Sequence, residues 1–491
     1  MINLPTLKYI FLISTLLVIN KNSALAQITP DNTLGAESSR VVPNGSIDKI
    51  DGGALRDQNL FHSFKESNIN NGQSVYFSNP SGIENILTRV TGGNASNIFG
   101  TLGVDGAANL FLINPNGIVF GENARLDLGG SFVGTTASGL QFGEQGNFSA
   151  TNPEAPGLLT VNPNALLFNQ IKANTGITNK STAVAELNNG LPILGLKVPD
   201  GKSLLLVGGN VNIIRGQIKA FGGNSELAGL SAPGKVGLNF TDSNISLGIP
   251  NGVERANVSF DEATVNVRSD NGGEIKIYGR NVELVRGSTL QAGIDFGLGT
   301  PDSQGGDVVI DATGDATLND GSFIANVIAP GGFGNAGSIN IDAASVKLNN
   351  GAAIDANMFG EGNGGNIRIK TDLLKLNNEV CSVELSDGAN ITANIILGKG
   401  QAGDIQITTG SLKVSNEAFI SSLINFGQGN TGNIIINVQD TANFETGAYA
   451  LTGIADDSIG NGGDIRIKTR TLSLRNGGEL TTRVFQGNAG N

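Results

Sequence analysis

The chain contains a single cysteine, Cys381, so no intramolecular disulfide can form and the stapled scaffold of a small secreted domain is excluded. Cys381 lies in Val380-Cys381-Ser382-Val383-Glu384-Leu385, where the apolar setting predicts a buried, inert thiol. Histidine is as scarce. His62 stands alone in Leu60-Phe61-His62-Ser63-Phe64, which removes histidine-based triads and multi-histidine metal sites. Tryptophan is absent, and nothing matches a G-x-S-x-G elbow or a phosphate-binding P-loop. Gly305-Gly306-Asp307 is followed by Val308 rather than by the second ligand pattern of calcium nonapeptides. No metal or cofactor is therefore expected. Positive charge is in short supply: the formal balance is −12. An acidic surface repels phosphate backbones and anionic lipids, so nucleic acid is not an expected partner. Lys, Glu and Gln occur singly rather than in helical stripes, and past residue 26 no apolar run is long enough for a transmembrane segment.

What the chain does have is glycine, 71 residues of 491 and about twice the usual share. It is set among short runs of Ile, Leu, Val, Thr and Asn. With 39% apolar residues such a chain can bury a core, which argues against disorder. Residues 1–26 read as a secretory signal peptide. Lys8 precedes the apolar run from Tyr9 to Ile19, and Ser23-Ala24-Leu25-Ala26 offers small residues at Ala24 and Ala26, so cleavage after Ala26 is predicted. Losing Lys8 and Lys21 with that segment takes the charge from −12 to −14. The mature chain is expected to be exported and soluble.

From residue 271 an imperfect repeat is plain. Its anchor is Gly272-Gly273-Glu274-Ile275-Lys276-Ile277, which returns as Gly305-Gly306-Asp307-Val308-Val309-Ile310 and as Gly364-Gly365-Asn366-Ile367-Arg368-Ile369. Gly462-Gly463-Asp464-Ile465-Arg466-Ile467 is the last full copy, and Ala489-Gly490-Asn491 begins another. The second glycines recur at a mean spacing of about 31 residues, within the range of repeat architectures. After each anchor comes a second apolar pair, such as Leu374 and Leu376. Then follow an Asn/Gly turn such as Asn349-Asn350-Gly351 and a third short strand such as Ala353-Ile354-Asp355-Ala356. Strands this short cannot bury one face alone. Stacked as coils about 4.8 Å apart they can, and the fold class predicted is all-β, a parallel β-helix. At that period, residues 41–491 would make roughly fourteen or fifteen coils and a rod of about 70 Å. The chain stops inside a repeat and leaves an open edge, so it reads as part of a longer family member.

One turn stands out near the amino end: Asn114-Pro115-Asn116-Gly117, followed by Ile118, inside Leu110-Phe111-Leu112-Ile113 and Val119-Phe120-Gly121. Pro115 fixes φ for a turn, and Asn116 and Gly117 tolerate positive φ. Upstream lie Val75-Tyr76-Phe77-Ser78-Asn79-Pro80-Ser81-Gly82-Ile83 and Ile86-Leu87-Thr88-Arg89-Val90-Thr91-Gly92-Gly93-Asn94; downstream lies Asn123-Ala124-Arg125-Leu126-Asp127-Leu128-Gly129-Gly130-Ser131-Phe132-Val133. As an ordered set these motifs resemble the haemagglutination-activity domain, the N-terminal secretion domain of filamentous-haemagglutinin-like exoproteins of two-partner secretion systems, in its cyanobacterial style. The likeness runs from about Val41 to Ser138.

The resemblance implies a right-handed parallel β-helix capped by an N-terminal secretion domain. It implies export through the periplasm to a partner outer-membrane β-barrel transporter, with folding outside coil by coil. The family's NPNGI motif falls on Asn114, Pro115, Asn116, Gly117 and Ile118. Its earlier NPNL motif falls on Asn79, Pro80, Ser81 and Gly82, where Ser81-Gly82 departs from Asn-Leu. Both motifs read equally as fold-forming turns or as contact points. The organisation expected is a signal peptide over 1–26, a polar lead-in over 27–40 and the secretion domain over 41–140. A β-helix continuation with irregular loops follows over 141–270, then the repeats over 271–491. The function expected is that of a secreted, non-enzymatic surface adhesin whose ligand is a host or cell-surface receptor or a glycan. Two alternatives stand beside it. One is a β-helical carbohydrate-active enzyme, with Asp311 and Asp315 or Asp456 and Asp457 as acid and base against their reading as solvated residues. The other is the carrier part of a contact-dependent toxin.

Overall fold

Short strands with two apolar residues each become stable here by lying directly over one another. In a computed structural model the described residues are 28–172, 175–188, 190–241, 244–378, 388–485 and 487–488; the signal segment, Cys381 and Gly490 fall outside them. Each coil lays strands on three faces, and strands of successive coils pair in parallel on each face. On the first face the stacked strands begin at residues 59, 85, 109, 132, 204, 224, 274, 308, 339, 367, 405, 434 and 465. Thirteen strands at roughly 4.8 Å give a stack of about 58 Å. That is shorter than the sequence period predicted, because two long excursions leave the coil between residues 135 and 258.

The interior is one continuous column. Ile275 pairs with Val308, and the line continues through Ile339, Ile367, Ile405 and Ile434 to Ile465. The second apolar pair does the same, from Val282 through Val346, Leu374 and Leu412 to Leu472. Between them, residues such as Arg368 and Lys370 point outward, so Ile367–Asn377 alternates buried and exposed along its anchor half.

The anchor owes its composition to the stacking distance. A Cβ on Gly365 would sit 1.8 Å from the carbonyl oxygen of Gly337 in the coil before, and one on Gly403 would sit 1.9 Å from that of Gly365. Only glycine lets these backbones approach. The acid or amide that follows then bonds forward: Asp404 N donates to Asn366 Oδ1 at 2.8 Å and Asn433 N to Asp404 Oδ1 at 2.7 Å. The side chain thus carries the ladder across a corner where backbone pairing lapses.

Three first-face strands depart from the alternation that burial of a single face would impose. Leu204–Gly208 is buried at every residue, as are Asn85–Val90 and Phe132–Thr135. Their outward side is covered by the two excursions. The first contains Gly139–Gln141, Asn147–Ser149 and Ala165–Phe168; the second contains Gly234–Phe240 and Ile245–Gly248. Ala165–Phe168 pairs with Gly234–Phe240, so the excursions fuse into one five-stranded antiparallel sheet. That sheet packs a second core onto the helix: Leu140, Phe142, Phe148, Leu166, Phe168 and Val236 meet Phe61, Leu87, Phe111, Val133 and Leu205. Asn162-Pro163-Asn164, which in sequence echoes the earlier turn, makes no turn at all. It runs extended into Ala165–Phe168, and Asn162 Oδ1 accepts from Asn85 Nδ2 at 2.8 Å.

At the amino end Ile28–Pro30 lies antiparallel on Asn59–Ser67, and Ser39–Asn44 forms an antiparallel hairpin with Ile47–Gly52. Among the described residues this antiparallel cap, with Ala54–Arg56, covers the edge of the first coil. Among the described residues no helix is long and apolar enough to cross a membrane.

Candidate functional site

Asn114-Pro115-Asn116-Gly117 is the corner between the first-face strand Asn109–Ile113 and the second-face strand Ile118–Phe120. Gly117 N donates to Asn114 O at 3.1 Å, closing the turn. Asn114 is buried and fully engaged. Its Oδ1 accepts from Asn116 N at 2.9 Å, and its Nδ2 donates to Asn94 O at 3.0 Å and Ser96 Oγ at 2.9 Å in the coil before. Asn116 Nδ2 donates to Gly92 O at 2.7 Å. Above the turn, Asn114 N donates to Thr135 O at 2.9 Å. Gly117 has φ of 114°, and a Cβ there would sit 3.1 Å from Gly176 O.

Successive coils treat this corner differently. In the next coil the chain leaves at Thr135 and returns at Gly176 after the first excursion; two coils later it leaves at Gly229 and returns at Val258 after the second. The four-residue turn therefore sits directly beneath the return of the first excursion, where Lys172 Nζ donates to Asn116 Oδ1.

Asn79-Pro80-Ser81-Gly82 occupies another corner, between the third-face strand Ser74–Ser78 and the first-face strand Asn85–Val90. Pro80, Ser81 and Gly82 are exposed, and Ile83 N donates to Pro80 O at 3.2 Å. Asn79 tucks under the next coil. With its amide oriented to satisfy its neighbours, it accepts from Ala108 N at 3.0 Å and Ala107 N at 3.2 Å. The two motifs thus stand on different corners, and the structure does not bring them together into one site.

What joins the parts of this region is a residue not singled out from sequence. Arg89 projects outward from Asn85–Val90 yet is fully buried under the antiparallel sheet. Its Nε donates to Ser63 Oγ at 2.9 Å, Nη1 to Ser149 O at 2.9 Å, and Nη2 to Thr33 Oγ1 and Glu154 O at 2.8 Å each. Its guanidinium carbon lies 4.3 Å from the centre of the Phe148 ring. Ser63 and Thr33 pass the charge on to Asp31, donating at 2.9 and 2.6 Å. Burial pulls Arg89 down to about 10, with Asp31 opposing, so it stays charged at neutral pH. Burial pushes Asp31 up, but hydrogen bonds from Thr33, Thr91 and Ser63 outweigh it and hold the carboxyl below its usual range. Cap, first face and antiparallel sheet are clamped by one charged network. A polar ladder does similar work at the start of the same strands: Asn85 Nδ2 donates to Asn59 Oδ1 and Asn109 Nδ2 to Asn85 Oδ1, each at 3.0 Å. Asn59 Nδ2 reaches the first excursion, between its strands, at Leu159 O, 2.9 Å, and Val161 O, 2.8 Å.

His62 faces the interior between Phe64 and Phe77, with Nδ1 3.0 Å from Ser39 Oγ. Burial pulls it down to about 3. Of the carboxylates weighed as acid/base pairs, Asp311 and Asp315 are each tied to a cation. Asp311 makes a two-pronged pair with Arg255 at 2.6 and 2.9 Å, and Asp315 accepts from Lys347 at 2.7 Å. Asp456 and Asp457 lie at an exposed corner, where Asp457 N donates to Asp456 Oδ1 at 3.2 Å. Among the described residues no group of three or more His, Cys, Asp or Glu side chains could hold a metal ion.

A family model described as the TPS secretion domain matches residues 26–277, just over half of the chain. It spans the cap, both motifs, Arg89 and both excursions. A heme/hemopexin-binding protein of Haemophilus influenzae is 34% identical over 116 residues, which is 22% of this chain and 12% of that relative's length. Among solved structures, the crystal structure of the HMW1 secretion domain from Haemophilus influenzae matches with a TM-score of 0.52 at 18% identity, covering 90% of this chain and 100% of that one. It shares the β-helical fold. The crystal structure of a filamentous hemagglutinin secretion domain covers 72% of this chain and 96% of its own at 15% identity, with a TM-score of 0.33 too low to speak for the fold.

Proposed function

The chain belongs to the TPS secretion-domain family, and from that premise we propose that it is a surface adhesin carried across the outer membrane by a partner β-barrel transporter. Membership makes it a two-partner secreted exoprotein; the route through the periplasm, the adhesive role and the assignment of the transport step to residues 41–140 are the further reading. The observation that carries it is the match over residues 26–277, which coincides with the part of the helix built in two layers. A chain that reaches the outside extended can complete this part first. The cap covers the opening coil, and each later coil finds a finished edge to pair with. A stacked coil is too wide to slip back, so folding itself makes passage one-way.

In this reading Asn114, Pro115, Asn116, Gly117 and Ile118 serve export by closing the corner on which the first excursion lands. Pro80 and Gly82, on a corner that Asn79 anchors beneath the next coil, present the exposed contact. Heme/hemopexin binding, which the curated relative's name states of that protein, is not carried over: His62 is enclosed and bonded to Ser39. Deleting residues 41–140 is expected to trap the protein in the periplasm of a cell that carries the partner transporter. Undiminished appearance of the deletion variant in the medium would sink the proposal.

A further inference from the structure

On the edge of the helix where the third face turns back toward the first, three successive coils carry the same pattern: Phe359-Gly360-Glu361-Gly362-Asn363, Leu397-Gly398-Lys399-Gly400-Gln401 and Phe426-Gly427-Gln428-Gly429-Asn430. Their short strands pair in register, Glu361 with Lys399 and Lys399 with Gln428. Leu397 is 72% exposed and Phe426 56% exposed. Both have left-handed backbones, with φ of 62° and 54°. The matching corner of the coils on either side holds residues suited to that conformation, Gly331 at 71° and Asp457 at 57°. Large apolar side chains at left-handed positions are disfavoured, and here they stand mostly in solvent. Such strain at an exposed site points to use.

Four residues further along each coil, past the column of Glu361, Lys399 and Gln428, runs a column of amides. Asn363 Nδ2 donates to Asn335 Oδ1 at 2.6 Å, Asn430 Nδ2 to Gln401 Oε1 at 3.2 Å and Asn461 Nδ2 to Asn430 Oδ1 at 2.7 Å. At Asn363, Gln401 and Asn430 the two N–H donors and two acceptor lone pairs of an amide exceed what the ladder consumes. We propose that this edge binds an extended neutral polysaccharide, whose apolar ring faces lie on Phe359, Leu397 and Phe426 while its hydroxyls exchange hydrogen bonds with the amide column. Glu361 and Lys399 cancel at its centre, and Asp457 leaves its far end acidic in a chain of −12, which suits an uncharged ligand over a sulfated or uronate one. Its size also decides. With Phe333 and Ile459 at its ends the strip covers roughly 300 Å², far below the roughly 800 Å² per partner of a stable protein interface, but ample for one narrow sugar chain.

The proposal deepens the adhesive reading and rests on it, and binding is measured on purified full-length chain so that failed export and failed recognition are read separately. The double variant Leu397→Asn, Phe426→Asn keeps residues that tolerate left-handed backbone, so its melting temperature should equal or exceed that of the parent. In affinity gels the parent should be retarded by hydroxyethyl cellulose or dextran in low and high salt alike and not by polygalacturonate, and the variant should lose roughly tenfold or more in affinity. A parent that runs freely through every neutral polysaccharide, a folded variant that binds as well as the parent, or a parent dimer in sedimentation that the variant abolishes would each overturn it, the last in favour of a second copy as occupant.

Discussion

Gly365 cannot become alanine without moving the carbonyl of Gly337, 1.8 Å from where its Cβ would lie, and that carbonyl is itself fixed by the coil before. Gly365→Ala should therefore destabilise the folded chain by about 2–4 kcal/mol, read from the denaturant midpoint. Gly93→Ala, whose Cβ would meet nothing within 4 Å, should stay within about 0.5 kcal/mol of the parent. His62 allows a test without a denaturant. Burial lowers it to about 3 from an ordinary 6.5, so the unfolded chain takes a proton in that interval that the folded chain refuses. Its contribution to stability is whole above pH 6.5 and is lost as pH falls toward 3. Being the only histidine, it gives a single imidazole signal, which should hold its position from pH 8 to pH 4 in the native protein. A midpoint near 6.5 would mean the cap does not enclose it. The repeat glycines were legible in sequence because their cause recurs every coil; the enclosure of His62 was not, because Ser39 and Phe77 reach it from separate strands.

At the scale of elements the decisive piece is the antiparallel sheet, and Arg89 is its fastening. A methionine in its place would leave Ser63, Thr33 and the carbonyls of Ser149 and Glu154 without their buried donor, at a cost of about 3 kcal/mol. Because three of those partners lie outside the coil, Arg89→Met should loosen the sheet before the stack. Limited proteolysis is expected to open the chain between residues 150 and 158 in the variant while the repeats from 271 stay resistant. Equal resistance in parent and variant would show that the apolar contacts of Phe142, Phe148 and Phe168 hold the sheet alone. The sequence did carry a sign of this layer. Leu204-Leu205-Leu206-Val207 is apolar at every position rather than at alternate ones, the mark of a parallel strand buried on both sides.

Across the whole molecule the two halves differ in thickness. Up to Asn224–Gly229 the first face lies between two cores, whereas Ile367–Asn377 and its successors cover the interior on one side and meet solvent on the other. Local stability should follow. Hydrogen exchange is expected to be slowest in Asn85–Val90, Phe132–Thr135 and Leu204–Gly208, faster in Ile405–Ser415 and fastest in Ile465–Lys468. Uniform protection along the stack would contradict a thick amino-terminal block that forms first and templates the rest.

The sequence by itself determined the coil: Ile275, Ile367 and Ile465 fall on one interior line because each coil meets only its neighbours, so the same local demand is written again about every 31 residues. It also determined that Asn114-Pro115-Asn116-Gly117 would turn, since proline, asparagine and glycine carry their own backbone preferences. Only the tertiary structure decided that this turn would be a buried landing for the first excursion, that two excursions would fuse into one sheet, and that Arg89 would be sealed beneath it. Those contacts join single stretches tens of residues apart with no repetition to announce them. A charge in an apolar run reads the same in sequence whether water or a second layer of protein lies over it.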